Sequence, residues 1–206
     1  MINPIDFILN FDVYLGTIIA TFGLATYLFL FLIIFCETGL VVTPFLPGDS
    51  LIFIAGTFAS KGDLNIILLF IIITAAAIFG NEINYLIGRF FGEKILEKKL
   101  IKKEYLDKTK EFYQKYGTLA KVIARFIPIV RTIAPFTAGI GKMEYKKFLT
   151  FNILGGILWV FLFLFAGYFF GQIPLIEKNL SLVIILIIII SVIPPIVHYI
   201  KNKIKK

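Results

Sequence analysis

Two arginines and two acidic residues stand inside apolar stretches of this chain and are the residues best suited to chemistry. Arg125 and Arg131 lie in the segment 121–141, and Glu37 and Asp49 lie in the segment 37–59. A charge at the centre of a bilayer costs about 3 kcal/mol or more, so such residues are expected to face a polar cavity rather than lipid.

The arginines are predicted to bind an anionic headgroup. Only three of the 21 basic residues are arginine, so lysine supplies most of the ordinary surface charge. Arginine stays protonated, and its planar fork binds a phosphate or a carboxylate through two hydrogen bonds. The alternative is that Arg125 and Arg131 pair with Glu37 and Asp49 only to hold the two segments together. Both interpretations can hold, since an ion pair can close an empty transport site.

Glu37 and Asp49 are predicted to couple transport to protons. A carboxyl group inside a membrane can take up and release a proton along a transport path. Each residue also has a simpler interpretation. Asp49 could be the N-cap of a helix at 50–59, and Glu37 could lie at the level of the outer headgroups.

Five further residues are predicted to support this site. Asn152 and Trp159 are seven positions apart and share one helical face, although packing or an interfacial aromatic belt is an alternative role for Trp159. Pro47 and Gly48 suit a tight type II turn, and Pro128 interrupts the arginine segment.

Neither an enzyme nor a metalloprotein is expected. The chain has one cysteine, Cys36, and one histidine, His198, which excludes a conventional zinc site. The sequence contains no recognisable pair of nucleophile and base and no phosphate-binding glycine loop. We therefore predict no catalytic residue, no metal and no cofactor.

The composition is that of an all-α polytopic membrane protein with one membrane domain over residues 1–206. It is 59% hydrophobic with a mean hydropathy of +0.92, whereas soluble domains are about half apolar. The net charge of +8 could suggest nucleic acid. Because the lysines flank apolar runs, we expect contact with anionic membrane lipids instead.

Apolar runs and charge runs divide this domain into segments. About 20 apolar residues cross the hydrocarbon core, and prolines break the segments that carry the charges. We predict transmembrane helices at 13–36 (with a bend at Gly23), 64–92, 148–171 and 180–199, re-entrant hairpins at 37–59 and 121–141, a cytoplasmic amphipathic segment at 93–118 and a basic tail at 200–206.

The positions of the lysines predict the orientation. Lysines cluster in the ranges 94–115, 142–147 and 201–206, and positive residues favour the cytoplasmic side. A re-entrant second hairpin puts all three clusters on that side, with both termini cytoplasmic. The two hairpins then enter from opposite faces, as in an inverted-repeat transporter.

Four stretches together resemble the DedA family, also described as SNARE-associated or VTT-domain membrane proteins. They are FCETGLVVTPFLPGDSLIFIAG at 35–56, GRFFG at 88–92, ARFIPIVRTIAPFTAGIGKMEYKKF at 124–148 and NILGGILW at 152–159. The family implies two re-entrant hairpins in the bacterial inner membrane. It also implies return of undecaprenyl phosphate between leaflets, dependent on the proton gradient.

The resemblance places the family's acidic pair at Glu37 and Asp49 and its arginine pair at Arg125 and Arg131. The expected function is therefore a flippase for a phosphate-headed lipid carrier, coupled to protons. Two alternatives remain open from the sequence: a proton-coupled exporter of small cations or drugs, and a membrane assembly factor that transports nothing.

Overall fold

Helices account for nearly all of the chain that the computed structural model describes, which is residues 11–40, 48–97 and 128–177 with the single residues 183 and 186. No strand occurs in these ranges, so the all-α prediction is confirmed for them. In chain order the helices are α1 (Phe11–Phe22), α2 (Ala25–Gly39), α3 (Gly48–Ser60), α4 (Ile66–Glu97), α5 (Pro128–Ile140), α6 (Tyr145–Phe170) and α7 (Pro174–Glu177).

Several predicted segments fall outside the described residues and stay predictions. They are the tip of the first hairpin at 41–47, the amphipathic segment from 98 to 118, the start of the second hairpin at 121–127, nearly all of the helix at 180–199 and the tail at 200–206.

The predicted crossing at 13–36 is divided into two helices. Gly23 has a φ of 51°, in the left-handed region that interrupts a helix and that glycine adopts without steric cost. Helix α2 is consequently 15 residues long. That is shorter than the roughly 20 residues that cross the hydrocarbon core.

Helices α4 and α6 are long and apolar enough to cross a membrane. The qualifying stretches are Ile66–Gly92, with 27 residues, and Tyr145–Phe170, with 26 residues. They cover most of the crossings predicted at 64–92 and 148–171.

Each long helix follows a short helix and a tight turn. Helices α3 and α5 both have 13 residues. Two positions after each one, the turn contains a residue with positive φ, which is Gly62 (88°) after α3 and Lys142 (51°) after α5. Positive φ is uncommon outside glycine, so the second turn carries some backbone strain. The described chain thus contains two similar units, α3–α4 and α5–α6.

The short helix of each unit packs along the long helix of the other unit. Helix α3 packs on α6, and α5 packs on α4. Glycines allow both approaches, because a side chain on any of them would strike the backbone opposite. The facing positions are Gly56 with Leu164 and Gly167 with Phe53 in the first pair, and Gly139 with Tyr85 and Gly88 with Phe136 in the second. Small residues serve this purpose in membrane proteins, where lipid is as apolar as the helix surface.

Helix α2 completes the described bundle by packing on α4. The two backbones approach each other closely where Gly39 faces Gly80. A core of fully buried aliphatic side chains joins α2, α3, α4 and α6, and includes Leu30, Ile34, Ile52, Ile73, Val160 and Leu164. This packing brings the end of α2, the start of α3 and the first half of α5 to one place.

Candidate functional site

Arg131 lies inside the protein at the meeting point of the two units. It is on α5, one turn from the start of that helix, and only 6% of its surface is exposed. Its Nη1 donates a hydrogen bond to Oδ1 of Asp49 at 2.5 Å, and its Nη2 donates to Oε1 of Glu37 at 2.7 Å. One guanidinium therefore bridges both predicted acidic residues.

Trp159 of α6 is the third partner of this cluster. Its indole Nε1 donates to the same Oδ1 of Asp49 at 2.9 Å, and the Cζ atom of Arg131 lies 5.0 Å from the centroid of its ring. Cation–π contact of this kind is strengthened when the groups are desolvated, and Trp159 is fully buried. Trp159 therefore packs inside the protein, which is one of the alternatives considered from the sequence, and its ring does not face lipid.

The two acids lie at helix ends of opposite polarity. Asp49 lies in the first turn of α3, where the helix dipole favours negative charge. Glu37 lies in the last turn of α2, where the same dipole disfavours it. Asp49 does not precede its helix, because α3 begins at Gly48, so the N-cap interpretation is wrong. Glu37 is buried inside the protein, with 2% of its surface exposed.

Gly48 supports the site by leaving room for Glu37. The carboxylate of Glu37 occupies the space that a Cβ atom on residue 48 would need. No side chain fits there unless Glu37 moves, so the predicted supporting role of Gly48 has a steric basis.

Asn152 lies on the same helix as Trp159 but makes different contacts. Its Oδ1 accepts a hydrogen bond from Nδ2 of Asn81 at 3.1 Å, and its Nδ2 donates to the carbonyl oxygen of Ile78 at 2.9 Å. Asn152 therefore ties α6 to α4.

Three predicted site residues cannot be placed by their side chains. Arg125 and Pro47 lie outside the described residues, and Pro128 is described only as the first residue of α5. Proline is favoured at the first position of a helix, because the N–H it lacks would have no partner there.

Two buried asparagines of α4 contribute to this region and were not predicted as site residues. Asn81 contacts Asn152. Asn84 donates to two backbone carbonyls, one next to Glu37 and one next to Arg131. Their signal in the sequence is an amide side chain on one face of a long apolar helix, which is weaker than the signal of a charge.

The chemistry available to the cluster is exchange of partners around one guanidinium. Among the described residues it combines two carboxylates with one arginine, so one negative charge is unbalanced when both acids are ionised. A proton on either acid would remove that charge. The described residues contain no group of three or more histidine, cysteine or acidic side chains that could hold a metal.

Comparison with known proteins identifies the family. The VTT domain model matches residues 46–169. The chain is 52% identical to Protein DedA of Escherichia coli K12, over 97% of this chain and 93% of that protein. It is 39% identical to an uncharacterized membrane protein of Mycobacterium leprae, over 80% and 75% of the two chains.

A third relative is the inner membrane protein YqjA of Escherichia coli K12, which is 34% identical over 74% of this chain and 70% of its own length. No solved structure matches the chain significantly. The domain match covers the first predicted hairpin from residue 46 onward and the whole of the second. It also covers α4 and nearly all of α6. The chain belongs to the DedA family of VTT-domain membrane proteins.

Proposed function

We propose that the protein moves a phosphate-headed lipid carrier, undecaprenyl phosphate, between the leaflets of the bacterial inner membrane and couples this movement to protons. The observation that carries the proposal is the buried Arg131, which is held by two carboxylates and stacked on an indole. A guanidinium in this setting can exchange a carboxylate for a phosphate without losing hydrogen bonds, because the oxygens of either anion accept hydrogen bonds from its N–H groups.

The same contacts support a coupling mechanism. While Glu37 and Asp49 are ionised they occupy both outer nitrogens of Arg131 and exclude a phosphate. Protonation of one acid weakens its bond to Arg131, and a phosphate can then take the place of that acid. The headgroup crosses at the arginine while the lipid tail stays in hydrocarbon. Binding of the anion and uptake of a proton therefore favour each other, as linkage requires.

The arrangement of the helices supports the topology proposed for this mechanism. The units α3–α4 and α5–α6 pack reciprocally, as expected if two re-entrant hairpins enter from opposite faces in an inverted repeat. In this proposal both termini are cytoplasmic, and Arg125 is a second phosphate ligand.

Leaflet exchange in liposomes tests the function. The full chain is reconstituted with labelled undecaprenyl phosphate, and the fraction accessible from outside is followed over time. We expect the wild type to accelerate exchange and the Arg125→Ala, Arg131→Ala double variant to be inactive. Arg89→Ala is the matched control, because Arg89 is exposed and does not contact the acids. Normal exchange by the double variant would disprove the headgroup site.

The two alternatives predict different results in the same vesicles. A cation exporter would move a cationic dye and would depend on Glu37 and Asp49 more than on Arg131. An assembly factor would move neither substrate, and its ion pairs would matter only for folding.

A further inference from the structure

Asn84 is a buried side chain with no assigned role, placed between the residues that carry the proposed function. It lies on α4 and has no exposed surface. Its Nδ2 donates to the carbonyl oxygen of Thr38 at 3.2 Å and to that of Thr132 at 2.8 Å. Thr38 directly follows Glu37, and Thr132 directly follows Arg131.

Both carbonyl oxygens accept, so the amide nitrogen of Asn84 must be the atom that faces them. The two hydrogens of one NH₂ group then fix the separation of two backbone segments. The amide oxygen of Asn84 has no hydrogen-bond partner among the described residues, so the hydrogen bonds of this side chain there are the two that it donates.

The Thr38 bond also has a local reason. Thr38 is in the last turn of α2, where carbonyl groups lack an intrahelical partner. A buried carbonyl without a partner is costly, and Asn84 supplies a donor. Thr132 is on α5, which also contains Pro135. Asn84 thus connects the start of the hairpin predicted at 37–59 to the helix α5, which is the second half of the hairpin predicted at 121–141.

We propose that Asn84 is a positioning residue that holds Glu37 in register with Arg131. The ion pair joins these two side chains, and Asn84 joins the two backbones one residue further along. The inference rests on the proposed function only for its effect on transport, since the effect on the ion pair can be measured without a substrate.

A double-mutant cycle on the purified full chain tests this inference. Thermal unfolding in detergent is measured for Asn84→Leu, Glu37→Gln and the double variant. If Asn84 acts through the ion pair, replacing Asn84 lowers the Tm less in a protein whose ion pair is already weakened. We therefore expect the drop in Tm from Asn84→Leu to be smaller by about half or more in the Glu37→Gln background.

Asn81→Leu provides the matched control. Asn81 is a buried asparagine three positions away on α4, and its side chain donates to Asn152 instead of to the backbones beside the ion pair. We expect its effect to add to that of Glu37→Gln. Equal additivity for both asparagines would overturn the inference. If Asn84→Leu fails to fold, Asn84→Ser retains one donor and is read in the same cycle.

Transport gives a second readout. Asn84→Leu should raise the carrier concentration for half-maximal exchange by about tenfold, as expected if a misplaced Arg131 loses one hydrogen bond to the phosphate, and should change the maximal rate less. An unchanged half-maximal concentration would count against positioning. If the wild type moves no carrier, the proposed function fails, while the thermal cycle still decides the role of Asn84.

Discussion

Replacing Gly48 with alanine tests whether the cluster depends on the exact place of Glu37. The substitution adds one methyl group and leaves every charge in place. That methyl group would occupy the position of the Glu37 carboxylate, which must then withdraw. Since Nη2 of Arg131 lies 2.7 Å from Oε1 of Glu37, withdrawal lengthens or breaks this ion pair.

Two opposing effects set the magnitude. Alanine favours a helix over glycine by up to about 1 kcal/mol, which would stabilise the first turn of α3. Breaking a buried ion pair while leaving a charge behind costs about 3–5 kcal/mol. The loss is larger than the gain. We therefore expect Gly48→Ala to lower the free energy of unfolding by about 2–4 kcal/mol.

Denaturant unfolding in detergent and leaflet exchange in liposomes would measure the effect. Gly16→Ala is the control, because it brings the same gain in helix propensity while its Cβ meets only the edge of the Phe58 ring, so no loss of stability is expected. Glu37→Asp, with its shorter side chain, should recover part of the stability lost in Gly48→Ala. A Gly48→Ala protein as stable and active as the wild type would refute the steric argument.

Three further predictions follow from other contacts. Trp159→Phe keeps an aromatic face but loses the donor to Asp49, and should cost about 1–3 kcal/mol in denaturant unfolding; an unchanged value would show that the indole hydrogen bond contributes little. Gly88→Leu would strike the backbone at Phe136 and should cost about 1–3 kcal/mol by overpacking, so unchanged unfolding would contradict the close packing of α4 and α5. Carrier exchange should accelerate as the pH falls, because protonated acids release the guanidinium, and Glu37→Gln should flatten this profile. Any dependence due to titration of the phosphate itself would persist in that variant.

The sequence singles out three charged residues that the structure brings together, for a physical reason. A charge inside an apolar stretch is costly, so Glu37, Asp49 and Arg131 stand out without any knowledge of the fold. The sequence also suggests that the acids and the arginines pair, but it does not specify which residues contact each other. That one guanidinium binds both acids depends on how α5 packs against α2 and α3, and these contacts join residues far apart in the chain.

Neutral partners were harder to predict than charged ones. Trp159 can pack in lipid or in protein, and its bond to Asp49 follows from the register of α6 against α3, which no local pattern specifies. Asn84 resembles any amide on a membrane helix until its two acceptors are known. The sequence predicts a bend at Gly23 from the glycine itself. That the helix is divided there, and not only bent, depends on the positive φ of Gly23, which the sequence does not show.

The shared arginine also imposes an order on synthesis. The ribosome makes Glu37 and Asp49 long before Arg131, and at the usual rate of about 5–20 residues per second the interval lasts several seconds or more. During that time α3 also lacks α6, the helix against which it packs. The early half of the chain therefore enters the membrane with two acids whose counter-charge has not been made. Conditions that slow translation after α4 should lengthen the exposure of this half to proteolysis.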